Sequence, residues 1–126
     1  MADKISFDLV SPEQLLLSAD ADMVTIPGSE GDMGVMAGHT AVITTLRPGV
    51  ITVSGGKEAQ RFFVLGGFAE VTQTKLTVLA EEAIPANDID ARIAAVTESL
   101  AKAVTDTEKS VRQAKLDTLT KLRADA

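Results

Sequence analysis

Pro27-Gly-Ser-Glu-Gly-Asp-Met-Gly-Val-Met-Ala-Gly-His39 is the stretch whose reading decides the fold. Four glycines (Gly28, Gly31, Gly34 and Gly38) fall within eleven residues, a density that suits tight backbone geometry. A phosphate cradle has its glycines after one strand and opening into a helix. Here Val42, Ile43 and Leu46 follow, with Pro48-Gly49 just beyond, and no Lys-Ser or Lys-Thr closes the run. The segment therefore reads as a shaped surface loop on a β body, not as the nucleotide loop of an α/β protein.

Outward from this loop, the first part of the chain is strand-like. Ile5, Phe7 and Leu9 alternate with Lys4, Ser6 and Asp8, the period-2 pattern of a half-buried strand. Short apolar runs follow at 15–17, 23–26, 41–46, 50–53, 61–65, 68–71 and 76–79. Turn signals separate them at Pro27-Gly28, Pro48-Gly49, Ser54-Gly55-Gly56-Lys57, Gly66-Gly67 and Gln73-Thr74. This rhythm predicts a sandwich or barrel, with Ser54–Lys57 as a hairpin turn and Gly66-Gly67 as a bulge or close backbone approach.

The composition changes at Pro85. Residues 86–126 contain neither Gly nor Pro, whereas all nine glycines and four prolines lie at or before Pro85. Charge divides at the same place: 1–85 carry eleven acids against five bases, and 86–126 carry seven of each. Ile89, Ile93, Val96, Leu100 and Val104 form one helical stripe, with Asn87 or Asp88 as the expected cap. Val111, Ala114, Leu116, Leu119 and Leu122 form a second apolar face. Thr105-Asp-Thr-Glu108 between them is a capping-box pattern. A helical hairpin is the expected result, although without Gly or Pro in the break a single long helix remains open. On the second helix Lys109, Arg112 and Lys115 share one side, read either as a solvated basic face or as a strip for an acidic partner.

Composition narrows function. With no cysteine there is neither disulfide nor thiolate chemistry, and His39, the single histidine, cannot build a zinc site alone. A formal charge of −6 argues against nucleic acid. The N-terminus is polar and alternating, unlike a secretory signal, and no apolar run approaches the ~20 residues of a membrane span. A Ser29–His39–Asp32 constellation can be drawn, but no Gly-x-Ser-x-Gly pattern accompanies it, so His39 reads as structural or interfacial. Glu81-Glu82 would point to opposite faces of an extended segment and so make no acid/base dyad. These features favour an interaction protein, with no catalytic residues and no metal, over an enzyme. A free-standing β-sandwich binding module with a helical tail is the alternative reading.

The loop Gly28–His39, followed by Leu46-Arg-Pro-Gly-Val50, resembles the epsilon-subunit family of F-type ATP synthases. Phe7-Asp-Leu-Val-Ser-Pro-Glu13, Gly66-Gly-Phe-Ala-Glu-Val71 and Leu76-Thr-Val-Leu-Ala-Glu-Glu-Ala83 are similar to the family's strands in the same order, so the resemblance covers essentially the whole chain. It implies an antiparallel β-sandwich of about ten strands over 1–85, binding the gamma subunit and the c ring. It also implies a regulatory two-helix hairpin over 86–126. The implied role is a non-catalytic part of the central-stalk rotor, coupling proton flow to ATP synthesis. Such a chain would be peripheral at the cytoplasmic face of the bacterial inner membrane and not inserted in the bilayer. Carried over residue by residue, the resemblance makes Glu30, Asp32 and His39 the ring contacts. The hairpin would lie folded on the sandwich or extend along gamma, where Lys109, Arg112 and Lys115 approach an acidic segment of the catalytic alpha/beta head and oppose ATP hydrolysis. As one helix, residues 88–124 would reach about 55 Å at 1.5 Å per residue. Two departures are visible. Thr40-Ala41 stands where many members have proline. Ile89-Asp90-Ala91-Arg92 places its arginine one residue earlier than the family's ATP-binding pattern, a rotation of about 100° around a helix. The expectation at Asp90 and Arg92 is therefore no strong ATP site and no cofactor.

Overall fold

The computed structural model describes residues 4–55 and 60–125. Ten strands precede two helices: β1 (Ile5–Val10), β2 (Leu15–Ala21), β3 (Met23–Gly28), β4 (Gly31–Val35), β5 (Val42–Leu46), β6 (Gly49–Ser54), β7 (Gln60–Val64), β8 (Gly67–Val71), β9 (Lys75–Ala80), β10 (Ala83–Pro85), α1 (Ile89–Ala101) and α2 (Asp106–Asp125). A 3₁₀ turn, Ala86–Asp88, leads into α1.

The strands form one hydrogen-bonded sheet in the order β10-β7-β6-β3-β5-β8-β9-β1-β2, with β4 on β3. Only one register pair, Gly28↔Leu46, joins β3 to β5. On either side of it lie two five-strand layers, β10-β7-β6-β3-β4 and β5-β8-β9-β1-β2. The sheet curls at this corner so that both layers close over one core. Alternation places Ile5, Phe7 and Leu9 of β1 inside, facing Val24 and Ile26 of β3 and Ile51 and Val53 of β6, all 5% exposed or less. The sandwich is antiparallel except for one pairing: β1 runs parallel to β9, with Phe7 opposite Leu76 and Leu9 opposite Val78. The chain reaches β9 only after a long excursion, so no tight turn constrains these two strands to run antiparallel.

Two strands escape the sequence pattern. β4 lies inside the glycine-rich stretch, which is therefore a hairpin arm and not a surface loop: Ile26 faces Met33, Val24 faces Val35, and Ser29-Glu30 makes the turn. β10 has only three residues, and Ile84 is paired with Phe63. Gly66-Gly67 behaves as expected. Gly67 sits at φ +140° between Leu46 and Ala80, and a Cβ there would lie 2.1 Å from the Leu79 carbonyl oxygen. β6 and β7 pair as predicted, with Val53 opposite Gln60. Gly56 and Lys57, half of the turn assigned to Ser54–Lys57, lie outside the described residues.

β7 is buried on both faces, which explains its unbroken Phe62-Phe63-Val64 run. Phe62 and Val64 enter the sandwich core, whereas Phe63 points outward into a second cluster with Ile84, Ile89, Val96, Leu119 and Leu122. The helical hairpin thus lies folded on the β10-β7-β6 layer. Thr105 caps α2 through the Glu108 amide (3.1 Å), while the Glu108 carboxylate returns to the Val104 amide (3.1 Å), one residue upstream of the simplest capping box. Neither Asn87 nor Asp88 makes the expected cap: no side-chain capping bond is present at the start of the 3₁₀ turn or of α1. The 3₁₀ turn delivers the chain to α1 already in helical geometry, with the Ile89 amide bonded to the Ala86 carbonyl. Each apolar stripe is used at one end only. Val104 and Val111, at the closed end of the hairpin, are 83% and 64% exposed.

Candidate functional site

The outer face of the β5-β8-β9-β1-β2 layer carries an apolar band. Strand register places Phe68 opposite Leu79, Leu79 opposite Val10, and Val10 opposite Leu15, so these side chains cross four strands in line. Phe68 is 54% exposed, Leu79 47%, Leu15 57% and neighbouring Ile43 73%. A run of this kind on a face that none of the described residues covers is the signature of a protein-binding surface. Below it, Asp8 ties three strands together, accepting from Ser18 Oγ (2.8 Å) and pairing with Lys75 (3.0 Å). The Ser18 bond first, then Lys75, hold its carboxyl below the usual carboxylate range, against a small opposing effect of burial. The sequence shows the alternation that creates this band but not which face stays open.

The acidic residues of the glycine-rich stretch gather at the β3–β4 tip. Gly28 pairs with Gly31, Glu30 is exposed in the turn, and Asp32 accepts from Arg47 Nη2 at 2.6 Å. Arg47 Nη1 donates to the Gly28 carbonyl at 2.8 Å, which bolts the tip to the corner between the layers. Arg47 is not among the candidate residues that the sequence offers, although Pro48-Gly49 marks the turn that follows it. His39 is elsewhere. It follows the far end of β4, where three residue steps along the strand carry the chain about 10 Å from Asp32 to Val35 before it turns. There a four-residue turn with Gly38 at φ +87° is closed by the His39 amide on the Met36 carbonyl (3.1 Å), and the Gly38 amide donates to Gln73 (2.7 Å). His39 Nδ1 lies 2.7 Å from the Thr40 carbonyl, which requires the proton on Nδ1. Ser29, Asp32 and His39 therefore do not assemble as a triad. Among the described residues there is no group of three metal-ligating side chains.

The helical residues divide differently. Arg112 Nη1 donates to the Ser99 carbonyl at 2.7 Å, a second donor on a carbonyl near the end of α1 that also accepts from the Lys102 amide (3.2 Å). Lys115 pairs with Glu82 at 2.8 Å, and Arg92 pairs with the other oxygen of the same carboxylate. Lys109 is exposed. Asp90 points the opposite way from Arg92, to Arg123 at 3.0 Å. Arg92 borders a 300 Å³ cleft with Glu13, Gln14 and Glu81, but Asp90 does not line it, so the two do not converge on one cavity. Glu82, which holds both helices, is the residue that sequence reasoning passed over; it registered only as half of an unproductive carboxylate pair.

A family model described as the beta-sandwich domain of the ATP synthase delta/epsilon chain matches residues 4–86. The "ATP synthase epsilon chain" of Parvibaculum lavamentivorans is 54% identical over 129 aligned residues, covering 98% of each chain. The chain belongs to the ATP synthase epsilon-chain family. The epsilon chain of Paramagnetospirillum magneticum is 52% identical over 89% of this chain and 85% of its own. The epsilon-chain fold also matches a chain in the Euglena gracilis mitochondrial ATP synthase structure of OSCP, F1 and c ring in rotational state 1. That match has TM-score 0.70 and 22% identity, covering 99% of this chain and 82% of that one. A second match lies in the Tetrahymena thermophila central stalk and c-ring structure, at TM-score 0.65 and 16% identity over 97% and 98%. At these identities the two structures establish a shared fold. Among the described residues, no helix of this chain is long and apolar enough to cross a membrane.

Proposed function

We propose that this epsilon-family chain is a non-catalytic rotor subunit of the ATP synthase central stalk, joining gamma to the c ring beneath the catalytic alpha/beta head. It would lie peripherally at the cytoplasmic face of the bacterial membrane. The observation that carries this reading is the apolar band Ile43–Phe68–Leu79–Leu15, an uncovered surface on a family member that leaves no buried side-chain nitrogen or oxygen unpaired among the described residues. Gamma is its occupant in this proposal. Glu30 and Asp32 at the β3–β4 tip face the ring, where exposed charge aids encounter and register more than affinity. His39, on a separate turn, makes its own contact. The two helices act as a brake on hydrolysis through Lys109, Arg112 and Lys115. Asp90 and Arg92, engaged by different partners, support no strong ATP site.

Co-purification tests the stalk role. Wild-type chain forms a stable pair with gamma, and Phe68→Glu weakens it at least about tenfold by burying a charge at the interface centre. No affinity of the wild type for gamma overturns the reading. For the ring, Asp32→Lys lowers proton-coupled synthesis in reconstituted enzyme while the gamma pair survives; His39→Ala, assayed alongside, decides whether the far turn takes part. For the brake, removing residues 87–126 spares assembly and raises ATP hydrolysis.

A further inference from the structure

Glu82 lies in the turn between β9 and β10, and its two carboxylate oxygens are held by different helices: Oε1 by Arg92 of α1 and Oε2 by Lys115 of α2, the latter at 2.8 Å. Its backbone is fixed as well. The Leu65 amide donates to the Glu82 carbonyl (3.0 Å), and the neighbouring Glu81 amide donates to the Gly66 carbonyl (3.0 Å), so the turn is bound to the turn between β7 and β8. The carboxylate is 26% exposed, and Arg92 and Lys115 are 39% exposed each. One anchored anion therefore faces two cations in a partly desolvated site, where charge-assisted bonds are stronger than on an open surface.

We propose that Glu82 is an ionic latch that sets the population of the docked hairpin, and that docking masks the basic strip of α2. Lys115 cannot serve Glu82 and an acidic partner at once. Arg112 is likewise committed to the Ser99 carbonyl while α1 and α2 remain paired. Only Lys109 of the three is fully outward in the docked form. The apolar cluster around Phe63 sets where the helices lie, and the latch sets how readily they leave. Release of Glu82 frees Lys115, so undocking of the intact hairpin adds Lys115 to the already outward Lys109, while Arg112 stays with Ser99 until the two helices part. The masking half of this inference rests on the proposed braking role; the latch itself does not.

The chain has no cysteine, so two can be introduced for spin labels at exposed positions, Glu70→Cys on β8 and Ser110→Cys on α2. Distance distributions in the isolated full-length chain report docking directly. With Glu82→Gln, which keeps shape and removes charge, the undocked fraction rises about threefold to tenfold, as expected for losing two partly exposed ion pairs. Raising salt to ~1 M produces the same shift in wild type and little further change in Glu82→Gln. Lys115→Gln reproduces part of it, and Lys109→Gln none. Unchanged distances in Glu82→Gln, with sandwich amide exchange at wild-type rates to show folding, overturn the latch. If distances shift but hydrolysis by the assembled enzyme does not, the latch stands and the masking and braking reading falls.

Discussion

The two apolar clusters of this protein are built on different terms. The sandwich core is enclosed by ten strands whose ladders cross the whole length of the β region, so that Phe7 of β1 rests beneath partners contributed by β3, β6 and β9. The hairpin cluster is a handful of residues, Phe63 and Ile84 below and Ile89, Val96, Leu119 and Leu122 above, with no backbone ladder across it. Polar side chains complete that second contact: Glu82 with Arg92 and Lys115. A layer tied by main-chain hydrogen bonds separates only by unfolding. A layer held by side chains alone can leave intact, because each helix satisfies its own backbone. One chain therefore holds a rigid body and a detachable one.

The comparison is most severely tested at the two centres. Phe7→Ala should cost about 3–5 kcal/mol and lower the denaturant midpoint of the whole molecule. Leu119→Ala, fully buried in the smaller cluster, should cost about 2–3 kcal/mol of docking energy. Its effect should appear as faster hydrogen exchange and proteolysis in α1 and α2, with the sandwich amides unchanged; equal acceleration in both regions would show that the two are one cooperative unit. Thr105→Ala removes the cap of α2 and should cost about 1 kcal/mol, read as fraying of the first turn without loss at Leu119. The smallest effect belongs to the sandwich. Asp8→Asn weakens the Ser18 and Lys75 contacts by about 0.5–1 kcal/mol at neutral pH. Because the carboxyl of Asp8 is depressed on folding, its contribution is present above the unfolded value of about 3.9. It fades as pH falls through the lower folded value, so wild type and Asp8→Asn should converge in strong acid.

Much of this was written locally. Alternation in Ile5-Ser-Phe-Asp-Leu9, the Gly-Pro punctuation and the 3.6-residue spacing after Pro85 each express a preference that operates over a few residues, and eight strands and both helices follow from them. β4 did not, because Gly31 and Gly34 dilute the alternating pattern, and three residues of β10 are too few to show any period. The candidate site divides in the same manner. Glu30 and Asp32 are near neighbours in the chain and stay together in the fold, whereas His39, seven residues beyond Asp32, is carried to the other end of a strand that the sequence reading took for loop. Arg47 and Glu82 owe their roles to partners 15 and 10 to 33 residues away, a range over which single-residue patterns carry no register.

The sequence alone determined the two kinds of structure, the point where one gives way to the other, and the capping that separates the helices, since these depend on side-chain period and backbone propensity. Tertiary structure alone decided which sheet face remained open as the Phe68–Leu79 band, which way β1 runs against β9, and that Glu82 would clasp both helices. Those outcomes depend on long-range pairing through the Gly28–Leu46 corner, where the positions of distant residues are set by closing the core over Phe7.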